Sequence, residues 1–196
     1  MIRYTASLIL LVLLAVILQQ FIPAFTPLFG SRLMLVVLVF LCAASTVSAP
    51  VMLLLAFLCG FLADAENALA TQAGDPEVYT RPVESLRFGY SIALYAVMGY
   101  LMQGIQPLFR QGKWQFSALL SGIAVFLYLL VEYLLINFVR GGFSFTRWTF
   151  LRIAFSSGIT MLLSPVVFWL LFQLADRSQY RIRFDGLKRR TRTPAY

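Results

Sequence analysis

Long apolar runs constrain the fold of this chain more than any other feature of its sequence. A hydrocarbon core of about 30 Å requires about 20 apolar residues per crossing helix. Of the 196 residues, 60% are hydrophobic and 12% are charged, a composition far from that of soluble domains. The sequence therefore predicts an all-α integral membrane protein with about six transmembrane helices in one bundle. The apolar runs are residues 4–22, 33–48, 51–63, 88–108, 116–139 and 148–174.

The second and third runs are each too short for a full, straight crossing. Only the small, polar stretch ASTVSAP (44–50) separates their apolar parts, which predicts a tight hairpin that either spans the membrane or stops short of the far interface. The hydroxyls of Ser45, Thr46 and Ser48 are expected to bond helix carbonyls or a neighbouring helix. Either form of the hairpin returns the chain to the side it came from, so the number of crossings stays even.

Lysine and arginine in short loops predict the orientation of the helices. With both termini inside, the cytoplasmic segments carry ten basic residues, seven of them after Asp176, and the opposite side carries five. The sequence thus predicts a multi-pass protein with both termini in the cytoplasm. It is divided into a transmembrane domain over residues 1–177 and a basic cytoplasmic tail over residues 178–196.

The tail is strongly basic, with six basic residues and Asp185 giving a net charge of +5 after Arg177. Each basic residue near an anionic lipid surface contributes about 1 kcal/mol, so we expect the tail to lie on the membrane. The same cluster could dock an acidic cytoplasmic partner. A nucleic-acid partner is not expected, because no domain is present to carry such binding. The basic residues are Arg181, Arg183, Lys188, Arg189, Arg190 and Arg192.

One carboxylate, Glu132, lies within the otherwise apolar stretch FLYLLVEYLLINFV (126–139). An ionised carboxylate at this depth is costly unless it faces protein, finds a partner or stays protonated. Arg152, on the next and antiparallel helix, is expected near the same interface. We therefore predict an ion pair of Glu132 with Arg152 that clamps the last two helices. The alternatives are a neutral or snorkelling Glu132 bonded to a hydroxyl, and a carboxylate that binds a ligand or ion.

Two further polar side chains lie near predicted helix ends. Asn137 is closer to the interface than Glu132 and is expected to form a hydrogen bond between helices. Asp64 ends the third run, in the words GFLADAENAL (60–69). Asp64 is therefore expected either to lie at a solvated helix end or to belong to a functional interface.

Several classes of site are missing from the sequence. There is no histidine, which removes the commonest metal ligand and the commonest general base. No phosphate-binding glycine loop, paired-cysteine motif or nucleophile elbow is present. Cys42 and Cys59 lie within apolar runs, where a thiol behaves as a small hydrophobe. We expect no metal, no cofactor and no enzymatic activity.

The stretch LMLVVLVFLCAASTVSAPVMLLLAFLCGFLADA (33–65) resembles the rod shape-determining protein MreD family of bacteria. In that family an apolar second helix and a tight turn precede a third helix, in which a glycine and leucines run into an acidic residue. The segment GFLAD (60–64) matches the end of that third helix, and the resemblance implies that Asp64 corresponds to the family's acidic residue. The segment SPVVFWLLFQLADR (164–177) is similar to the last helix of the family, in which a proline precedes aromatic residues and the helix ends in basic residues.

The resemblance implies a non-enzymatic subunit of the cell-elongation machinery in the bacterial inner membrane. Its direct partner would be MreC, a single-span protein with a periplasmic domain, which it would stabilise in support of lateral peptidoglycan synthesis. Through MreC it would act with the actin-like MreB, the glycosyltransferase RodA and its penicillin-binding transpeptidase. MreD proteins are also similar in fold to the substrate-binding subunits of energy-coupling-factor transporters.

Two other functions compete with this one. A solute-binding subunit of an energy-coupling-factor-type transporter would need a polar pocket near the outer face, which Glu132, Arg152 and the 64–87 loop could form. A small membrane enzyme, such as a lipid-phosphate hydrolase or an intramembrane protease, would need histidines or paired aspartates that the sequence lacks. The solute-binding transporter subunit is therefore the main rival to the cell-elongation subunit.

Overall fold

The described part of the chain is a bundle of six α-helices. A computed structural model describes residues 2–23, 30–72, 88–109, 114–140 and 146–180. Four helices, α1, α3, α5 and α6, are long and apolar enough to cross a membrane, which agrees with the prediction of an all-helical membrane protein. The helices are α1 (Ile2–Phe21), α2 (Leu35–Ala44), α3 (Ala49–Gln72), α4 (Tyr90–Phe109), α5 (Trp114–Arg140) and α6 (Arg147–Arg177).

Helix α3 is longer than the apolar run that predicted it. It has 24 residues and ends at Gln72, so it is about 36 Å long at 1.5 Å per residue. The run ended at residue 63 and was expected to be too short to cross the membrane alone. The residues that follow it, DAENALATQ (64–72), include alanine, leucine, glutamate and glutamine, which favour helix. The end of the apolar run therefore marks a change of polarity and not the end of the helix.

The short helix α2 lies at the centre of the bundle. It contacts each of the other five helices, and nine of its 10 residues are buried. A helix surrounded on all sides has no polar face, which explains why the sequence of α2 is apolar throughout. Its length of about 15 Å is only half of the hydrocarbon thickness. α2 is therefore shorter than a full crossing helix, as the length of its apolar run predicted.

Side chains from two other helices satisfy the backbone at the start of α2. The Met34 amide donates to Thr160 Oγ1 of α6 at 3.3 Å, and the Val36 amide donates to Gln19 Oε1 of α1 at 3.0 Å. The first N–H groups of any helix lack an acceptor within the helix. Because α2 is buried among the other helices, these N–H groups need such partners from its neighbours.

Glutamine side chains of α4 satisfy the carbonyls that follow α2. Gln106 Nε2 donates to the Ser45 carbonyl at 2.8 Å and to the Val47 carbonyl at 3.4 Å. Gln103 Nε2 also donates to the Val47 carbonyl, at 3.4 Å. These bonds allow the chain to turn from α2 into α3 while its backbone stays buried.

Two of the three turn hydroxyls bond helix carbonyls as the sequence predicted, whereas Ser48 is exposed. Ser45 Oγ and Thr46 Oγ1 donate to backbone carbonyls three residues earlier, at 2.7 and 2.8 Å. The Tyr4 hydroxyl lies 2.9 Å from Thr46 Oγ1, and the Tyr4 ring stacks on Tyr180 with ring centroids 4.5 Å apart. The start of α1, the turn after α2 and the segment after α6 thus meet at one end of the bundle.

Gln106→Leu should lower the free energy of unfolding by about 1–3 kcal/mol, because it leaves the fully buried Ser45 carbonyl without a donor. Gln103→Leu removes only one 3.4 Å bond, and Val47 keeps its bond to Gln106, so this variant should lose less. Reversible unfolding of both purified variants in detergent measures the difference. Equal stability of the wild type and Gln106→Leu would contradict this role for the glutamine.

Candidate functional site

The GFLAD segment brings α3 against α4. Gly60 and Asp64 lie four residues apart, and one helical turn places them on the same face of α3. A Cβ atom added at Gly60 would lie 2.6 Å from the backbone nitrogen of Ile92 in α4, which is closer than real Cβ contacts allow. The absence of a side chain at Gly60 therefore permits the close approach of the two helices.

Asp64 is buried and holds the start of α4. Its exposed fraction is 3%, and its Oδ2 atom accepts the Gly89 N–H at 2.6 Å. Gly89 directly precedes α4 and has a φ angle of +100°, a conformation that favours glycine. A carboxylate at this position satisfies a free N–H and interacts favourably with the helix dipole. Asp64 is thus buried between α3 and α4 and is not a solvated helix end, whereas a functional interface at this position stays a prediction.

The second carboxylate oxygen of Asp64 is also buried. Oδ1 has no hydrogen-bond partner in the part of the chain that the structure describes. An unpaired buried polar atom is costly, and in a native structure it calls for an explanation such as a proton, an ion or a group from a partner. Asp64 therefore combines an internal structural bond with one acceptor atom that no described residue uses.

The structure does not bring Glu132 and Arg152 into the predicted ion pair. Arg152 is exposed on α6 and Glu132 is half-buried on α5, and within the described residues no ion pair joins them. The 31 residues of α6 extend about 46 Å, roughly 16 Å more than the hydrocarbon core. Arg152, about 8 Å from the start of this helix, can reach the membrane surface without an acidic partner.

Glu132 instead lies beside a buried pair of tyrosines. It is close enough to Tyr95 and Tyr128 to interact with them electrostatically. The rings of Tyr95 and Tyr128 are 5.1 Å apart, and Phe40 of α2 meets Tyr95 edge-on at 5.0 Å. Among the described residues no hydrogen bond joins Glu132 to either hydroxyl, so the alternative of a neutral or snorkelling Glu132 bonded to a hydroxyl stays a prediction.

Asn137 bonds within its own helix. The residue is buried, and its Nδ2 donates to the Tyr133 carbonyl one turn earlier at 2.8 Å. Among the described residues, this intrahelical bond takes the place of the predicted bond between helices. Short polar side chains often satisfy themselves in this way on the backbone of the preceding turn.

The basic tail leaves the bundle beside the start of α1, where Tyr180 stacks on Tyr4. The two ends of the described chain therefore lie at the same end of the bundle, as an even number of crossings requires. The tail residues singled out from the sequence lie outside the described residues, so their contact with anionic lipid stays a prediction. They are Arg181, Arg183, Lys188, Arg189, Arg190 and Arg192.

A polar cleft of about 390 Å³ lies where the end of α1 meets α3 and the segment before α2. Its polar lining consists of Gln19, Gln20, Arg32 and Glu66. The sequence analysis singled out none of these four residues. The one feature of the sequence that could have indicated a polar site here is the pair Gln19 and Gln20 near the end of the first apolar run. No spacing relates residues 19–20, 32 and 66, and only the fold brings them together.

Comparison with known proteins returned no match. Neither a protein-family model, nor a curated protein, nor a solved structure matches this chain.

Proposed function

We propose that this chain is a non-enzymatic membrane subunit of the bacterial cell-elongation complex, which binds and stabilises MreC in the inner membrane with both termini in the cytoplasm. The observation that carries the proposal is the GFLAD segment. These residues carry the resemblance to the MreD family, and Gly60 and Asp64 within them form the contact between α3 and α4. The resembling residues thus have a specific structural role, which general hydrophobic similarity would not require.

The surface of α5 and α6 supports the proposal of a single-span partner. An apolar groove of about 330 Å³ lies between these helices, and Gly122 and Gly158 are among the residues that line it. A Cβ atom at Gly158 would meet nothing within 4 Å. Small residues on a lipid-facing surface allow another transmembrane helix to approach closely. We assign this groove to the transmembrane helix of MreC.

The experiment is affinity purification of the tagged protein from the membranes of its own bacterium in mild detergent, with partners identified by mass spectrometry. We expect MreC in nearly equal amount, and a loss of MreC from the Gly158→Leu variant, whose side chain fills the groove. Gly104→Leu is the matched control, because Gly104 also has open space around it but lies on α4. Recovery without MreC would contradict the proposal.

The same experiment distinguishes the main rival. A solute-binding subunit of an energy-coupling-factor-type transporter was expected to use Glu132 and Arg152, which are not paired in the described structure. The observation that favours this rival function is a different polar cleft, which is lined by Arg32 and Glu66 and could hold a small molecule. Recovery of an energising ATPase and its coupling subunit in place of MreC would support the rival function.

A further inference from the structure

Two opposite charges line the cleft at the end of α1 without pairing with each other. Arg32 and Glu66 are both lining residues, and the bond described for the Glu66 carboxylate comes from the neutral amide of Gln20, at 3.2 Å. No ion pair between Arg32 and Glu66 forms in the part of the chain that the structure describes. Among the described residues, neither charge is neutralised by the other, so a ligand in the cleft can contact both.

Both charges are attached to fixed parts of the bundle. The Arg32 backbone amide donates to Ser156 Oγ of α6 at 3.2 Å, which holds the segment before α2 in place. Glu66 belongs to the long helix α3 and is bonded to Gln20 of α1. Because the backbone at both positions is anchored, binding a ligand orders the two side chains and not the segments that carry them, which limits the entropy cost.

The size and remaining lining of the cleft also suit a small polar ligand. Its volume of about 390 Å³ falls at the lower end of the range of small-molecule sites, about 300–1,000 Å³. Gln19 uses its Oε1 atom to accept the Val36 amide, which leaves its Nε2 group available as a donor. Leu33 and Met34 supply an apolar wall.

We propose that this cleft binds a zwitterionic phosphate–ammonium group, with the phosphate at Arg32 and the ammonium at Glu66. Arginine recognises phosphate through two parallel hydrogen bonds, and a singly charged ligand would leave one of the two side chains unpaired. The cleft lies at the end of α1 and beside the last residues of the membrane-crossing part of α3, Ala49–Asn67. Lipid head groups occupy this level of the membrane, so the group can come from phosphatidylethanolamine or from a free phosphate–ammonium solute. This inference goes beyond the proposed function and does not depend on it.

The test uses the full-length protein in detergent and two pairs of probes. Native mass spectrometry compares retention of phosphatidylethanolamine with that of phosphatidylglycerol, and calorimetry compares phosphoethanolamine with glycerol 3-phosphate. We expect at least about a tenfold preference for the zwitterion in one pair, equivalent to about 1.4 kcal/mol. A preference in the lipid pair identifies a head group as the source, and a preference in the soluble pair identifies a free solute.

Four variants test the roles of the charges. Glu66→Gln should abolish the preference for the zwitterion, and Arg32→Gln should weaken binding of both members of the pair by at least about tenfold. Both side chains are exposed, so the variants should unfold at the wild-type temperature. Arg3→Gln and Asp176→Asn remove exposed charges at the opposite end of the bundle and should change nothing. Equal affinity of the wild type for both members of each pair, or equal effects of all four variants, would overturn the proposal.

Discussion

Gly60→Ala should lower the free energy of unfolding by at least about 2 kcal/mol, because the new methyl group would collide with the backbone of α4. The added Cβ would lie 2.6 Å from the Ile92 backbone nitrogen. A backbone atom within a helix cannot rotate away as the end of a side chain can. α3 and α4 must therefore separate, and the contacts along their interface weaken. Reversible unfolding of the purified protein in detergent measures the loss.

Gly158→Ala is the matched control for this variant. It makes the same change on α6, where a Cβ atom meets nothing within 4 Å. Alanine also favours helix over glycine by about 1 kcal/mol, so the control should be as stable as the wild type or slightly more stable. A similar loss in both variants would show that crowding between α3 and α4 is not the cause.

Asp64→Ala should lower the free energy of unfolding by about 2 kcal/mol, since it removes a buried, charged acceptor from the start of α4. Asp64→Asn should lose less. Its amide oxygen can still accept the Gly89 N–H, and the NH2 group that replaces Oδ1 is uncharged, so its burial costs less than that of a carboxylate oxygen. The same unfolding measurement compares the two variants.

Glu66→Ala is the control for the Asp64 variants. Glu66 is an exposed carboxylate two residues further along α3, and its bond to Gln20 is exposed as well. Exposed polar contacts contribute little to stability, so this change should stay within about 0.5 kcal/mol of the wild type. If Asp64→Asn proves as damaging as Asp64→Ala, the charge on Asp64 and not its hydrogen bond stabilises the α3–α4 contact.

The positions of the helices could be predicted because every crossing segment must be apolar and satisfy its own backbone. The turn after α2 was predicted for a related reason, since small hydroxyl residues can bond the carbonyls of a helix that ends. The length of α3 could not be predicted from polarity, because a helix continues into water where its residues favour it. The 10-residue length of α2 is explained only by the tertiary structure, in which the five other helices surround α2 and bond its ends.

The candidate sites show a sharper limit. Asp64 was singled out from the sequence, but its partner Gly89 lies 25 residues away, across a segment with no pattern that relates the two. The pairing of Glu132 with Arg152 was inferred from depth alone. The depth of a residue does not specify the rotation of its helix about its axis. The prediction also assumed that α6 ends at the membrane surface, whereas α6 is longer than the membrane is thick.

The sequence by itself determined that this chain is an apolar, all-helical membrane protein with a tight hairpin at residues 44–50. The tertiary structure decided which polar side chains meet: Gln19, Gln103 and Gln106 around α2, Asp64 at the start of α4, and Arg32 with Glu66 in one cleft. The physical reason is that lipid is as apolar as the interior of the bundle. Hydrophobicity therefore reports which segments enter the membrane, whereas close packing and the bonding of buried polar groups decide which faces contact each other.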